Sequence, residues 1–460
     1  MSTLDVSNPF DGALIDTVPL ATAHELENTL ETAYQTHRKH RQGLPASERI
    51  AILRRLSELM RAEADSLAYL IANEGGKPLI DARVEVARAI DGVETCAADL
   101  GGLAGQEIPM GLTSASSGRL AFTTKEPIGV VVAVSAFNHP LNLIVHQVAP
   151  AVAVGCPVIV KPADDTPLSC MKFISMLHQA GLPKEWAHCI VCDVALAEKL
   201  VTDSRLAFFS FIGSARVGWM LRSKLAPGVR CSLEHGGAAP VILGVSANLD
   251  EIVPKVLKGG FYHSGQVCVS VQRVFALAGQ GHAFAEHLAQ AASKLVVGNA
   301  IEEHTECGPL IRNREVTRVG EWVDEALAGG AKALTGGRML SPSTYAPTVL
   351  YGSSPEHKVS SQEIFGPVVC VYESASVAEA VQQANSLPVA FQSAVFSNDL
   401  QETMQIAKGL DASAVMVNDH TAFRVDWMPF AGRRHSGYGV GGIRYTMEDM
   451  TQDKMIVLPY

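Results

Sequence analysis

Along the first hundred or so residues, apolar positions recur at helical spacing: Ile52, Leu53, Leu56, Met60, Leu67 and Leu70 line one face before the chain reaches Gly75-Gly76. A glycine pair stops such a helix because glycine takes the left-handed C-cap conformation at no steric cost. This part of the chain therefore reads as packed helices. From Gly129 the texture changes. Gly129–Val134, Pro157–Val160, Cys189–Cys192 and Leu206–Phe209 are short apolar runs without alternation, as expected of strands buried on both faces. Helical segments separate them, so the pattern predicts an α/β fold: a parallel sheet covered by helices on both sides, with ligands at the carboxyl ends of its strands and a dinucleotide as the default guest. After Gly237 a second alternating region runs to about Ala431, with no repeat, low-complexity tract or long linker in it.

The 460 residues are 47% hydrophobic and 18% charged, an ordinary globular composition with material for large cores. A net charge of -10 argues against a nucleic-acid backbone or an anionic membrane as the main partner and leaves small molecules as the better expectation. No stretch is apolar for long enough to span a bilayer, and the first residues lack a basic region followed by an apolar run, so a cytoplasmic protein is expected. The nine cysteines are scattered and odd in number, which indicates neither a disulfide framework nor a structural metal site.

Several motifs fall at strand ends. Ser135-Ala136-Phe137-Asn138-His139-Pro140 follows the first strand, where a fixed Asn138 amide could donate to a developing oxyanion or simply cap the next helix. Lys161 ends the second strand, and with Asp164 it offers a cation and a carboxylate where nucleotide ribose hydroxyls would lie. Gly213-Ser214-Ala215-Arg216-Val217-Gly218 follows another strand and opens a helix whose amides could meet a pyrophosphate, although it is not the usual dinucleotide fingerprint. Ser232-Leu233-Glu234-His235-Gly236-Gly237 and Gly265-Gln266-Val267-Cys268 pair a carboxylate with a thiol. A thiolate is the strongest protein nucleophile near neutral pH, and a carboxylate can activate water to release what the sulfur has captured. By itself each of these residues has an ordinary structural explanation.

Their order does not. The series Phe137-Asn138, Lys161-Pro162, Phe211-Ile212-Gly213-Ser214, Leu233-Glu234-His235-Gly236-Gly237, Gly265-Gln266-Val267-Cys268, Glu363-Ile364-Phe365-Gly366-Pro367 and Pro429–Gly437 resembles the aldehyde dehydrogenase superfamily over nearly the whole chain. In Phe137–Asn142 and Phe423–Phe430 it most resembles the branch of lactaldehyde, phosphonoacetaldehyde and non-phosphorylating glyceraldehyde-3-phosphate dehydrogenases.

The resemblance implies a Rossmann-type cofactor domain (1–118 and 131–235), an α/β catalytic domain (236–431) and a small β oligomerisation arm (119–130 and 432–460), assembled as a homodimer or homotetramer. It implies oxidation of an aldehyde to a carboxylic acid with Cys268 as nucleophile, Asn138 at the oxyanion and Glu234 activating the hydrolytic water. For the cofactor it implies NAD, with NADP possible: Ser135 and Phe137 line the site, Lys161, Asp164 and Glu363 hold ribose hydroxyls, and Gly213 and Ser214 meet the pyrophosphate. Val217 would lie against the adenine and Phe365 beside the nicotinamide. Alternatives are a coenzyme A-acylating dehydrogenase, which Glu234 disfavours, and a cofactor-free thiol hydrolase, which the nucleotide-like loops disfavour. Val267 and Val269 flank the nucleophile, so the near pocket should be apolar. Arg119, Arg424, Arg433, Arg434, His139 and His263 are candidates for an anion clamp, but the sequence alone does not choose among them.

Overall fold

The computed structural model describes residues 2–277 and 279–460. Four helices, Ala23–Lys39, Ala46–Ala62, Ala64–Gly75 and Leu79–Asp99, occupy most of the first hundred residues, and the third ends at Gly75 with Gly76 at φ 66°. Ile52, Leu53, Leu56 and Met60 are fully buried, as their spacing requires.

Two parallel-stranded sheets follow. The first contains β1 (Val130–Val134), β2 (Val158–Lys161), β3 (Ala187–Cys189), β4 (Leu206–Ile212) and β5 (Arg230–Glu234), in the order β5-β4-β1-β2-β3. Gly437–Tyr438 extends its edge antiparallel to β5. Side chains of β1 alternate between two cores. Val131 and Ala133 join the one built with Leu79–Asp99 and Asn142–Val154, while Val130 and Val132 join the one built with Ala23–Lys39 and Val194–Val201. The chain adds β2 and β3 on one side of β1 and then crosses to the other for β4. That reversal opens a crevice at the carboxyl ends of β1 and β4, where the chain turns at Ser135 and at Gly213.

The second sheet contains β6 (Ala239–Leu243), β7 (Val271–Leu277), β8 (Lys332–Thr335), β9 (Thr348–Tyr351), β10 (Val368–Ser374), β11 (Gln392–Phe396) and β12 (Ala414–Val417), in the order β8-β9-β10-β7-β6-β11-β12. All neighbours are parallel except β8 and β9. Cys268 lies three residues before β7 and Glu363 five before β10, so this sheet serves the crevice from the amino ends of its strands. The expectation of ligands at carboxyl ends thus describes only the first sheet.

The apolar strands anticipated at 120–124 and 454–458 pair antiparallel, Leu120 with Leu458 and Thr124 with Lys454, in a three-stranded sheet completed by Glu107–Ile108. Of the stretch 432–460 expected in the arm, only Thr451–Pro459 joins this sheet. Gly437–Tyr438 belongs to the first sheet, and Ile443, Met447 and Met450 are buried in its core, because the helix Ile443–Asp449 presents an apolar face to Asn142–Val154. Among the described residues no helix is long and apolar enough to cross a membrane.

Candidate active site

Cys268 sits at the second position of a turn closed by the Ser270 N–H to the Val267 carbonyl (2.9 Å). Preceding it, His263, Ser264 and Gly265 all take left-handed backbone angles (φ 47°, 56° and 71°). Glycine is needed at the last of these, since a Cβ on Gly265 would stand 2.1 Å from the Gly366 carbonyl oxygen. The Cys268 turn and the Glu363–Pro367 turn are thereby pressed backbone to backbone. Val267 and Val269, with Phe391 and Phe430, form the apolar wall expected around the thiol.

Across the crevice, Asn138 Nδ2 donates to the Gln266 carbonyl (2.9 Å), two residues before Cys268. An amide nitrogen carries two hydrogens, so one remains for an oxyanion. The Cys268 N–H has no protein acceptor among the described residues. The helix that follows begins at Asn142, two residues after Pro140, and Glu85 accepts from the Leu141 and Asn142 amides at 2.9 and 3.0 Å. Glu85 caps this helix from a different element and is itself paired with the fully buried Lys77.

Glu234 ends β5 and lines the same cavity as Cys268 and Asn138, a space of about 630 Å³. Ser135, Phe137, Gly213, Ser214, Val217, Glu363 and Phe365 also line it, so ten of the twelve residues singled out from the sequence converge. Phe137 and Phe365 meet edge to face, their centroids 5.9 Å apart. Glu363 accepts from the Gly237 N–H at 3.1 Å. Lys161 and Asp164 stand apart: they pair with each other, and Lys161 Nζ also donates to the Pro162 carbonyl (2.9 Å), while only Ala163 of that loop reaches the cavity wall.

Burial, with the carboxyls of Glu363 and Glu234, pushes the Cys268 thiol up to about 12, against the pull of the Arg424 guanidinium. Burial likewise raises Glu234, again opposed by Arg424, and lifts Glu363 to about 8 despite the Gly237 amide and Arg318. Charged forms are expensive in a site lined largely by carbon. Arg424 therefore bears on both Cys268 and Glu234.

Of the six candidates for an anion clamp, Arg424 and His139 line the cavity. Arg433 and Arg434 pair with Asp411, Arg119 lies on the arm, and His263 is buried beside His139 with both ring nitrogens unpartnered among the described residues. Sequence reasoning missed Arg88, which also lines the cavity. It comes from the helix Leu79–Asp99, read as packing, and nothing in its spacing along the helix marked it out. It also missed the C-x-x-C spacing of Cys189 and Cys192. Cys189 instead faces Cys170, with the sulfurs 3.7 Å apart, and no group of three or more potential metal ligands gathers among the described residues.

A model of the aldehyde dehydrogenase family matches residues 1–456. The chain belongs to the aldehyde dehydrogenase family. It is 37% identical over 413 residues to 3-sulfolactaldehyde dehydrogenase of Priestia aryabhattai, covering 89% of this chain and 86% of that one. Among solved structures it resembles aldehyde dehydrogenase 21 of Physcomitrella patens in complex with the reaction product succinate (33% identity, TM-score 0.96, 100% of this chain and 95% of that one). It also resembles glyceraldehyde-3-phosphate dehydrogenase of Methanocaldococcus jannaschii complexed with NADP (31% identity, TM-score 0.94, 99% of both chains). This dehydrogenase accordingly oxidises an aldehyde to the acid with NAD or NADP, within the branch that the sequence motifs indicated. The crevice suits such a cofactor: Ser135 Oγ, buried in its wall, has no partner among the described residues, and Ser214 is exposed at the start of a helix.

Proposed function

We propose that this dehydrogenase acts on a small aldehyde carrying a second, anionic group, with Cys268 as nucleophile and Glu234 as the base for hydrolysis. The observation that carries the substrate class is Arg424. Its guanidinium lines the cavity, lies 3.5 Å above the Phe430 ring, and reaches His146 Nδ1 at 3.4 Å, but no carboxylate pairs with it among the described residues. Arg88 beside it is held by Asp426 through two bonds (3.1 and 2.8 Å). Asp426 also lies 2.7 Å from His146 Nε2 and accepts from Asn142 (3.1 Å). With its Nε2 hydrogen given to Asp426, a neutral His146 offers a lone pair to Arg424 but no counter-charge. A buried cation without a counter-ion is costly unless a ligand supplies one. The sulfonate, carboxylate and phosphate in the names of the three similar proteins fit the same reading.

The chain's own residues would act in sequence. The Cys268 thiolate adds to the carbonyl carbon, and the oxyanion is met by the spare Asn138 hydrogen and the Cys268 N–H. A nicotinamide dinucleotide, when bound along Ser135, Gly213, Ser214, Val217 and Glu363, supplies the hydride acceptor. Loss of hydride from the carbon leaves a thioester on Cys268. Glu234 takes a proton from water, the hydroxide attacks the thioester, and the acid departs as the thiolate returns. The presence of Glu234 in the cavity supports water rather than coenzyme A as acceptor. A carboxylate at Asp164, in the loop whose Ala163 reaches the cavity wall, supports NAD over NADP through repulsion of a 2'-phosphate. The antiparallel arm leaves Thr451–Pro459 as an open edge with Met455, Val457 and Leu458 exposed, which supports a dimer or a pair of dimers.

The test is a panel of matched acidic and neutral aldehydes assayed with NAD and with NADP, with and without coenzyme A, on the native enzyme and on Arg424→Met. Arg424 also favours the anionic forms of Glu234 and Cys268, so the informative quantity is the ratio of kcat/KM between acidic and neutral substrates. That ratio should fall by about tenfold to a hundredfold, the scale of a charge-assisted hydrogen bond. A native enzyme that prefers neutral aldehydes would end the proposal.

A further inference from the structure

We propose that His235 is a positioning residue for the dinucleotide: its Nδ1–H fastens the phosphate-facing turn at Gly213 to the strand end that carries Glu234. The inference rests on the reading of Gly213-Ser214 as the cofactor turn. His235 follows Glu234 directly, is buried, and lines the cavity. Its Nδ1 lies 3.0 Å from the Gly213 carbonyl oxygen, which can only accept, so the proton is on Nδ1. Burial holds the ring neutral, pushing its pKa below the ordinary histidine value. Nε2 is then a lone pair, and it has no partner among the described residues.

The surroundings allow the ring one place. A Cβ on Gly218 would stand 2.0 Å from Cε1, so the helix Ala215–Arg222 packs against the imidazole through the missing side chain of a glycine. Phe211 and Trp219 close the sides, with centroids 5.7 and 5.6 Å away. The backbone is fixed as well: the His235 N–H donates to the Ser436 carbonyl (2.9 Å), and the Gly213 N–H donates to the Glu234 carbonyl (3.0 Å). Both polar backbone groups of Gly213 are thus spent on residues 234 and 235. The turn that would set the pyrophosphate cannot shift without dragging the strand end that bears the base. An apolar residue of similar size at 235 would fill the space and avoid the orphaned nitrogen, so packing alone gives no reason for a histidine. The bond to Gly213 does.

The experiment measures dissociation of oxidised dinucleotide from the enzyme by titration calorimetry, alongside kcat at saturating cofactor. His235→Leu keeps the volume and loses the donor. Its dissociation constant should rise by about tenfold, the scale of one backbone hydrogen bond, with a smaller fall in kcat. In His235→Asn the amide N–H stands where Nδ1 does, and affinity should return to within about twofold of the native enzyme by the same scale. Unchanged affinity in His235→Leu, or equal loss in the Leu and Asn variants, would overturn the proposal. Should His235→Leu fail to fold, His235→Asn against His235→Gln makes the same comparison, because the longer Gln arm carries its amide to the Nε2 position; equal affinities in that pair would overturn it too. Ser214→Glu places a carboxylate at the start of the helix and should abolish dinucleotide binding. Normal binding by that variant would show that the turn does not hold the cofactor, and the role of His235 would fall with it.

Discussion

At the scale of single residues, burial and the charges of Glu363 and Glu234 together push the Cys268 thiol up to about 12. Glu363 is itself lifted to about 8, so it is neutral at pH 6 and opposes the thiolate only once it ionises. Glu363→Gln should therefore speed alkylation of Cys268 by iodoacetamide at pH 9 by about threefold to tenfold, up to one unit of thiol pKa, and leave the rate at pH 6 unchanged. Equal rates at pH 9 would mean that the Glu363 carboxylate does not act on the sulfur. The two chemical steps separate by mutation. Cys268→Ala should abolish both steady turnover and any burst of reduced cofactor, since no thioester can form. Glu234→Gln should keep a rapid first turnover, accumulate acyl-enzyme visible as added mass, and lose roughly two orders of magnitude or more in steady rate. Near-normal steady turnover without an adduct would remove Glu234 from the hydrolytic step.

At the scale of elements, two glycines hold the reacting groups in place in different ways. A Cβ on Gly265 would meet the Gly366 carbonyl oxygen at 2.1 Å with φ already at 71°, so strain and collision both fall on backbone. Gly265→Ala should lower stability by about 2 kcal/mol or more, seen as a fall in the thermal midpoint together with activity. A Cβ on Gly441 would meet Glu234 Oε1 at 2.0 Å, the far end of a flexible side chain that can swing away, and the Phe430 carbonyl oxygen at 3.0 Å, a contact that a shift of a few tenths of an ångström relieves. Gly441→Ala should therefore cost less than about 1 kcal/mol of stability and yet slow deacylation roughly tenfold or more, because the base is moved. Matching thermal losses in the two variants would contradict this division.

At the scale of the whole molecule, the arm is the element to which we assign assembly. Thr451–Pro459 pairs with Arg119–Pro127 along one side only, and its exposed Met455, Val457 and Leu458 are apolar. Sedimentation at micromolar concentration should show a dimer or tetramer, and Met455→Asp with Val457→Asp should shift it to monomer; a native monomer would refute the role given to the arm. The short apolar runs foretold the parallel strands because burial on both faces leaves no room for alternation, and the ordered motifs foretold ten residues of the cavity wall. Chain pattern by itself determined that much: local periodicity, turn chemistry and the residues we propose as nucleophile and base. Only tertiary structure decided the rest. Arg88 reads as part of an amphipathic helix until Asp426, more than 300 positions away, draws it into the crevice. The Lys161–Asp164 pair and the clasp of His235 on Gly213 depend on distances between strand ends, which spacing along the chain does not encode. That Arg424 pairs with no carboxylate among the described residues is likewise a property of its neighbours, since whether a guanidinium finds a partner depends on which carboxylates the fold brings within reach.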